Sequence, residues 1–119
     1  KGVVDYGLEK GVLCYWLDDL KNLNTPEKRA HIFSKYNEFG VRGIKVDFVN
    51  SYTQKARKLI EELIQDAIKY KLMVSFHGAQ SPRGFARTYP NVITFEAVKG
   101  GLATDIPIVV LINEVSASA

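Results

Sequence analysis

Chemically versatile side chains stand at the ends of three apolar runs in this chain. Asp47 lies near the end of the first run, His77 directly follows the second, and Glu96 directly follows the third. Helix-like stretches separate the runs, which is the pattern of βαβ units with parallel strands. Because parallel strands end at one edge of their sheet, we expect the three side chains to lie close together.

Two carboxylates and an imidazole at one sheet edge suit two kinds of chemistry. In glycoside hydrolysis one carboxylate attacks the sugar and the other protonates the leaving oxygen. In a metal-dependent hydrolase Asp47, His77 and Glu96 would instead bind the ion. The spacing favours neither, and a strand-end aspartate also commonly caps the following helix. Asp18 or Asp19 adds a fourth acidic position at the end of an earlier run.

Three helix patterns lie between the apolar runs. The first covers residues 3–10 and stops at Gly11. The second covers residues 26–39, with Thr25 as its N-cap and a proline at its first position. The third covers residues 52–70 and has apolar residues at the i, i+3, i+4, i+7 spacing of an amphipathic helix. Its apolar stripe predicts a sheet for it to cover.

Five apolar runs predict the strands of that sheet. The first run is expected to be buried on both faces. The five predicted strands cover residues 12–17, 44–48, 72–76, 92–95 and 106–112. They predict an α/β fold with a parallel sheet of about five strands and crossover helices. A partial (β/α) barrel and a flavodoxin-like sheet both satisfy this order, and open sheet edges favour a homo-oligomer.

Composition limits the class of protein. With 119 residues, of which 46% are hydrophobic and 24% charged, the chain is expected to be one soluble globular unit. Its net charge of +3 comes from lysine and arginine interleaved with glutamate, so no nucleic-acid surface is predicted. No apolar run reaches the length of a membrane span, about 18 residues, so no membrane partner is predicted.

Cys14 is the single cysteine, which excludes an internal disulfide. The absence of a signal peptide and of a starting Met predicts a mature segment or a piece of a longer protein.

Three motifs that follow one another along the chain resemble glycoside hydrolase family 97. They are Gly-Val-Arg-Gly-Ile-Lys-Val-Asp-Phe from residue 40, Lys-Leu-Met-Val-Ser-Phe-His-Gly from residue 71, and Arg-Thr-Tyr-Pro-Asn-Val-Ile-Thr-Phe-Glu-Ala-Val-Lys-Gly from residue 87. The resemblance implies an exo-acting α-glucosidase or α-galactosidase with a catalytic (β/α)₈ barrel flanked by β domains. It also implies a calcium ion at the sugar site and a protein that is periplasmic or secreted, as most members are.

The resemblance also implies roles for single residues. Asp47 matches the nucleophile of the retaining branch, and Gly78 stands where the inverting branch has its base, a glutamate. Glu96 matches a calcium ligand and His77 a sugar-site histidine. Asp18 is a further candidate for substrate binding, because it lies at the end of the first predicted strand. The implied substrate is an α-linked oligosaccharide or a galactoside.

One position departs from the family pattern. The general acid of the family is a glutamate in a pattern like Glu-x-x-x-Gly-x-Glu, and the matching position here is Leu102. Leucine cannot donate a proton, and protonation of the leaving oxygen is usually worth about 10²–10⁴-fold in rate. The matching segment also corresponds to only part of a barrel. The chain on its own is therefore predicted to be inactive.

Residues 103–119 resemble a second family, at the nucleophile strand and turn of the C-terminal processing serine peptidases. Ser118 matches the serine of that family, which a lysine further along activates. Val115 stands in place of the glycine whose amide helps to form the oxyanion hole, and no lysine follows Ser118. A serine without a base is not an activated nucleophile. As the alternative, residues 106–112 form an apolar strand that completes the sheet.

These resemblances divide the chain into two segments. Residues 1–100 are predicted to be a partial barrel of a glycoside hydrolase, and residues 101–119 an extra strand and tail of peptidase type. A glycine pair at the join is a permissive hinge, so a fusion or chimera is one explanation. The leading functional hypothesis is a fragment related to a retaining exo-α-glycosidase. The alternatives are a non-catalytic α/β scaffold, chimeric or engineered, and a serine peptidase fragment.

Overall fold

The computed structural model describes residues 2–51, 53–79 and 84–97, and within them helices alternate with parallel strands. This arrangement confirms the predicted α/β fold. The predicted strand at 106–112 lies outside the described residues. The elements in chain order are α1 (Gly2–Glu9), β1 (Tyr15–Asp19), a 3₁₀ turn (Leu20–Asn22), α2 (Pro26–Glu38), β2 (Gly43–Asp47), α3 (Gln54–Lys69), β3 (Met73–Ala79), α4 (Phe85–Thr88) and β4 (Val92–Ala97).

The four described strands lie side by side in chain order, β1-β2-β3-β4, and every neighbouring pair is parallel. A flavodoxin-like sheet would place the first strand inside the order, between later strands. Strictly sequential parallel strands joined by helices are instead the arrangement of a (β/α) barrel segment. Of the two architectures that satisfy the sequence, the structure therefore has the partial barrel.

The predicted start of α2 is confirmed by its cap, and α3, predicted from residue 52, begins after a cap of the same kind. The Thr25 hydroxyl accepts a hydrogen bond from the backbone N–H of Lys28, and Pro26 occupies the first turn of α2. The Thr53 hydroxyl accepts one from the N–H of Ala56 at the start of α3. Each side chain satisfies a backbone donor that the helix leaves unpaired, which is typically worth about 1 kcal/mol.

The core lies between the sheet and the inner faces of α2 and α3. The apolar stripe of α3 is buried where its spacing predicted, and it packs with alternate residues of β2 and β3. The fully buried members of this layer are Phe33, Ile44, Val46, Ile60, Leu63, Ile64, Ala67, Val74 and Phe76. Within the described ranges, no helix combines the length and apolar character that a membrane crossing requires.

An aromatic stack anchors β4 and α4 to the sheet. The Phe95 ring lies 4.8 Å from the Phe76 ring and 6.1 Å from the Phe85 ring, centroid to centroid, and both pairs are stacked. The Arg57 guanidinium lies 4.6 Å from the centroid of the Phe85 ring. Stacked rings add about 0.5–1.5 kcal/mol beyond the area that they bury. The stack therefore holds the strand that carries Glu96.

The prediction that residues 12–17 form a strand buried on both faces is wrong. The strand begins three residues later, and Tyr15, Trp16 and Leu17 are 44%, 49% and 60% exposed. β1 is an edge strand of the described sheet, paired with β2 on one side only. An apolar run predicts contact with an apolar neighbour, but it does not show whether that neighbour is present in the same segment.

A buried arginine ties α2 to α3. The Arg29 side chain is 1% exposed; its Nε donates to Asp66 Oδ2 at 2.7 Å and its Nη1 donates to the Leu23 carbonyl at 3.1 Å. Nη2 lies 3.5 Å from Glu62 Oε2. Partial burial raises the pKa of Asp66, but hydrogen bonds from Lys69 and Arg29 outweigh it and leave that pKa below its ordinary value.

We expect Arg29→Ala to lower the free energy of unfolding by about 2–4 kcal/mol, because it leaves buried acceptors without their donor. Urea denaturation at neutral pH measures this, with Lys35→Ala, at an exposed position of α2, as the matched control. A carboxylate with a lowered folded pKa stabilises the protein above its unfolded pKa, 3.8 for Asp66, and the effect is lost as pH falls through the folded pKa. The part of the Arg29→Ala cost that comes from Asp66 should therefore be lost below that pH, whereas the part that comes from the Leu23 carbonyl, which does not titrate, should remain. An Arg29→Ala cost that does not change with pH would contradict the pairing with Asp66.

Candidate active site

The two faces of the sheet differ in chemistry. Ile44 and Val46 of β2 are buried against the helices, whereas Lys45 and Asp47 alternate with them and are only partly buried. Lys45 lies beside Ser75 of β3, and the parallel register continues this polar face across the sheet. The face away from the helices, here called the polar face, thus carries Lys45, Asp47 and Ser75, and Tyr15 and Leu17 of β1 share it.

Four side chains meet at the strand ends of this polar face, and we refer to them as the strand-end cluster. Its members are Lys45, Asp47, His77 and Glu96. His77 Nδ1 lies 2.7 Å from Asp47 Oδ1, and His77 Nε2 lies 3.4 Å from Glu96 Oε1. Lys45 Nζ donates to Glu96 Oε2 at 3.0 Å. The structure therefore brings together the three residues whose convergence the sequence predicts, with the imidazole between the two carboxylates.

The backbone after β2 is bent sharply next to Asp47. Phe48 has φ of 58° and Asn50 has φ of 36°, a left-handed conformation that residues other than glycine rarely adopt. The bend directs the Phe48 N–H onto Asp47 Oδ1 at 2.6 Å, and the Asn50 N–H donates to the Gly78 carbonyl at 3.0 Å. Such strain persists only where the surroundings hold it, and it concentrates at functional sites.

The side chains of the strand-end cluster differ in their exposure to solvent. The Asp47 side chain is 18% exposed, His77 29% and Glu96 49%. Phe48, beside Asp47, is 61% exposed. A ligand that approaches the strand ends can therefore reach the Asp47 carboxylate without displacing core residues.

The structure does not bring Asp18 into the cluster. Asp18 lies beside Val46 in the register, so it belongs to the helix side of the sheet. Its Oδ2 accepts from the Tyr36 hydroxyl at 2.7 Å and its Oδ1 from Asn22 Nδ2 at 2.8 Å. Burial and the Asp18 carboxylate raise the pKa of Tyr36 well above its ordinary value. The contacts of Asp18 are those of a structural carboxylate, and its role in substrate binding stays a prediction.

Asp19, not Asp18, lies on the polar face. It is the register partner of Asp47 on the neighbouring strand. Its Oδ1 accepts from the Lys21 N–H at 2.9 Å and its Oδ2 lies 2.9 Å from Lys21 Nζ. These hydrogen bonds, from the backbone first and the side chain second, lower the pKa of Asp19. Asp19 thus contributes a second carboxylate to the face on which Asp47 lies.

Lys45 is the residue that sequence reasoning missed. It lies two positions before Asp47, so strand alternation places both side chains on the same face. A lysine inside an otherwise apolar strand was therefore the available signal. The cation holds one oxygen of Glu96, and His77 lies against the other.

The cluster does not fit a calcium site. Both Glu96 oxygens already have partners, and the Lys45 ammonium at 3.0 Å would repel a divalent cation. Among residues 2–51, 53–79 and 84–97, no group of three or more histidine, cysteine or acidic side chains is arranged to hold a metal ion. Calcium requires about six to eight oxygen ligands. These residues support hydrogen bonding within the cluster and not coordination of an ion.

A segment of sequential β/α units with a carboxylate at a strand end is the class of structure from which barrel hydrolases build their sites. The family model described as Glycoside hydrolase 97 matches residues 1–98. The chain belongs to glycoside hydrolase family 97, whose members generally bind calcium.

Curated relatives agree with this assignment. The chain is 34% identical over 99 residues to a probable retaining alpha-galactosidase of Streptomyces bingchenggensis. It is 35% identical over 107 residues to a retaining alpha-galactosidase of Bacteroides thetaiotaomicron. These matches cover 82% and 84% of this chain but only 15% of each relative. The chain is related to retaining exo-α-glycosidases and spans a small part of their length.

A solved structure agrees as well. A beta-arabinopyranosidase crystal structure superimposes with a TM-score of 0.77 at 32% identity, covering 82% of this chain and 17% of that one. The Leu102 and Ser118 positions and the proposed division at residue 100 lie outside the described residues, so they remain predictions.

The backbone at Gly78 disfavours a side chain. Gly78 has φ of 62°, and a Cβ built there would lie 2.8 Å from Asn50 Oδ1. Gly11 has a similar φ of 72° but nothing within 4 Å of a built Cβ. A glutamate at this position, the base implied for the inverting branch, would therefore require a strained left-handed backbone and a shift of the exposed Asn50 side chain.

This difference gives a matched pair of variants. Gly11→Ala should cost about 1–2 kcal/mol for the left-handed backbone alone. Gly78→Ala should cost about 0.5–1 kcal/mol more, because it also displaces the Asn50 side chain, which is exposed and can rotate away. Asn50→Gly should remove that excess in a double-mutant cycle measured by urea denaturation. Equal costs for the two alanine variants would show that the contact with Asn50 is unimportant.

Proposed function

We propose that this segment carries the nucleophile side of a retaining glycosidase site, with Asp47 as the nucleophile. The observation that carries the proposal is the Asp47 carboxylate, held at the carboxyl end of β2 by the Phe48 N–H and by His77. Identity of 34–35% to two retaining alpha-galactosidases supports it. The polar face would receive the sugar, and the strained turn would keep the carboxylate in place.

The chemistry has two steps. The Asp47 carboxylate attacks the anomeric carbon and forms a glycosyl ester while the aglycone leaves, and water then releases the sugar with retained configuration. The first step needs a proton for ordinary leaving groups, from an acid at a carboxyl separation of about 5–5.5 Å. Leu102 stands at the position of that acid. The segment alone is therefore able to attempt only reactions whose leaving group needs no proton.

The substrate class we favour has the galacto configuration. The two curated relatives are named as alpha-galactosidases, and the solved structure as a beta-arabinopyranosidase. A β-L-arabinopyranoside has the ring configuration of an α-D-galactopyranoside and lacks only its hydroxymethyl group. One site can therefore serve both rings, and α-glucosides, which differ at C4, are the alternative.

We expect α-galactosyl fluoride to show at most trace turnover and melibiose none, because fluoride leaves without a proton and glucose does not. Asp47→Asn should abolish the trace activity, since an amide cannot attack. Fluoride release followed with an ion-selective electrode measures both variants. Turnover that survives Asp47→Asn would remove Asp47 from the reaction.

Leu102→Glu is the complementary gain-of-function test. If the remaining geometry is native, turnover of an aryl α-galactoside should rise by about a hundredfold or more, the usual worth of a general acid. Leu102→Gln, which has nearly the same shape but no acid, is the matched control. Two negative results together would favour a non-catalytic scaffold: the parent chain releases no fluoride, and Leu102→Glu does not hydrolyse the aryl galactoside.

We further propose that calcium binds weakly or not at all to this segment. Glu96 is committed to Lys45 and His77, and the calcium site of a whole barrel draws on more ligands than one carboxylate. Isothermal titration calorimetry should detect no binding tighter than about micromolar. Tighter binding that Glu96→Gln removes would overturn this expectation.

We also propose that the chain self-associates through β1. The strand leaves one edge of the described sheet open and exposes Trp16 and Leu17, a combination that favours strand addition by another copy. Leu17→Lys should shift the chain toward monomer in sedimentation velocity, and Phe39→Lys, at an exposed residue of α2's C-cap, should not. A monomeric parent chain would contradict the proposal.

A further inference from the structure

We infer that His77 is a positioning residue that fixes which oxygen of Asp47 reacts, and not a sugar ligand. This inference rests on the proposed function of Asp47 as a nucleophile. It assigns Oδ1 to the protein and leaves Oδ2 for the anomeric carbon. It also assigns the proton of His77 Nδ1 to the hydrogen bond with Asp47.

Two donors converge on the same carboxylate oxygen. Asp47 Oδ1 lies 2.6 Å from the Phe48 nitrogen and 2.7 Å from His77 Nδ1, and both distances are short for hydrogen bonds to a carboxylate. Donors withdraw electron density from the oxygen that they contact. Oδ2 is therefore the more nucleophilic of the two oxygens, and the two hydrogen bonds set the plane in which it lies.

The contact with the Asp47 carboxylate shows which ring nitrogen of His77 carries a proton. An ionised carboxylate only accepts hydrogen bonds, so His77 Nδ1 must carry a proton to approach Asp47 Oδ1 this closely. The other ring nitrogen, Nε2, lies 3.4 Å from Glu96 Oε1. Both edges of the imidazole thus face protein carboxylates, which leaves neither nitrogen as an obvious partner for a sugar hydroxyl.

Glu96 and Lys45 complete the support. Lys45 Nζ holds Glu96 Oε2 at 3.0 Å, so the glutamate that flanks the imidazole is itself held. These contacts, two hydrogen bonds and the 3.4 Å approach of His77 to Glu96, link β2 through β3 to β4 and back to β2. Rotation of the His77 ring would break contacts at both of its ends, and the orientation of Asp47 therefore depends on three neighbouring strands.

Nitrogen NMR of the histidine rings tests the inference without any catalysis. The chain has two histidines, and His31, on an exposed position of α2, serves as the internal control. We expect His77 Nδ1 to carry a proton in the parent chain. Asp47→Ala should change the ring signals of His77 toward the Nε2–H form that free histidine favours, and leave those of His31 unchanged. A neutral Nε2–H ring in the parent chain would overturn the inference.

Kinetics with α-galactosyl fluoride supply a second test. An asparagine amide can replace the Nδ1–H donor, whereas a glutamine amide reaches the position of Nε2. His77→Asn should therefore keep kcat within about tenfold of the parent, and His77→Gln and His77→Ala should lose about a hundredfold, the scale of a small misplacement of a reacting group. KM should stay nearly constant in all three, because the sugar does not contact the ring. A raised KM with kcat unchanged would identify His77 as a sugar ligand and overturn the inference.

Failure of the proposed function and failure of the positioning role of His77 give different results. If the parent chain releases no fluoride, the proposed function fails for this segment, and the NMR result alone decides the hydrogen bond between His77 and Asp47. If fluoride is released and His77→Gln performs as well as His77→Asn, the function stands and the positioning role is overturned.

Discussion

The packing of α3 against the sheet is the constraint on which the rest of the structure depends. Its residues Ile60, Leu63 and Ile64 are 1% exposed or less, and they lie in one core with Val46 and Phe76 of the strands on either side. A helix that connects two strands and buries one face on them makes those strands parallel neighbours. The ends of β2 and β3 therefore meet, and with them Asp47 and His77. The geometry of the strand-end cluster is a consequence of hydrophobic burial on the opposite face of the same strands.

The polar face shows the cost of assembling such a site. Phe48 and Asn50 occupy left-handed backbone conformations, and Phe48 is a large apolar side chain left in solvent. Local propensity favours neither feature, so the conformation must be held by contacts such as the Asn50 N–H bond to Gly78 and the Phe48 N–H bond to Asp47. Where a fold accepts strain beside one carboxylate, that carboxylate is a strong candidate for chemistry, and membership of a glycosidase family agrees with this interpretation.

The strand-end cluster also explains why family resemblance alone is an incomplete guide to this chain. The resemblance implies calcium for Glu96 and the sugar for His77, and the structure adds the contacts that both side chains make with protein partners. A carboxylate that already has an ammonium partner gains less from a metal ion, because binding the ion must first displace that partner. The chain spans 15% of the curated relatives it matches, and the contacts here are those that its own residues make.

The sequence by itself determined the elements and the residues that bear on chemistry. The period-3.6 spacing of apolar residues predicted α3, the Thr25 cap predicted where α2 begins, and apolar runs ending in Asp47, His77 and Glu96 predicted a polar strand-end edge. These are local properties, because a helix cap or an amphipathic stripe depends on residues within a few turns of one another.

Only the tertiary structure decided how those residues meet. Whether Asp18 or Asp19 shares a face with Asp47 depends on the register between β1 and β2, and a shift of one residue would exchange the two. The exposure of Tyr15, Trp16 and Leu17 depends on which strands flank β1. The hydrogen bond between His77 and Asp47 joins two side chains 30 residues apart in the chain, with 2.7 Å between Nδ1 and Oδ1. Pattern within a segment carries no information about such distances, because they are set by the way in which separate segments pack against one another.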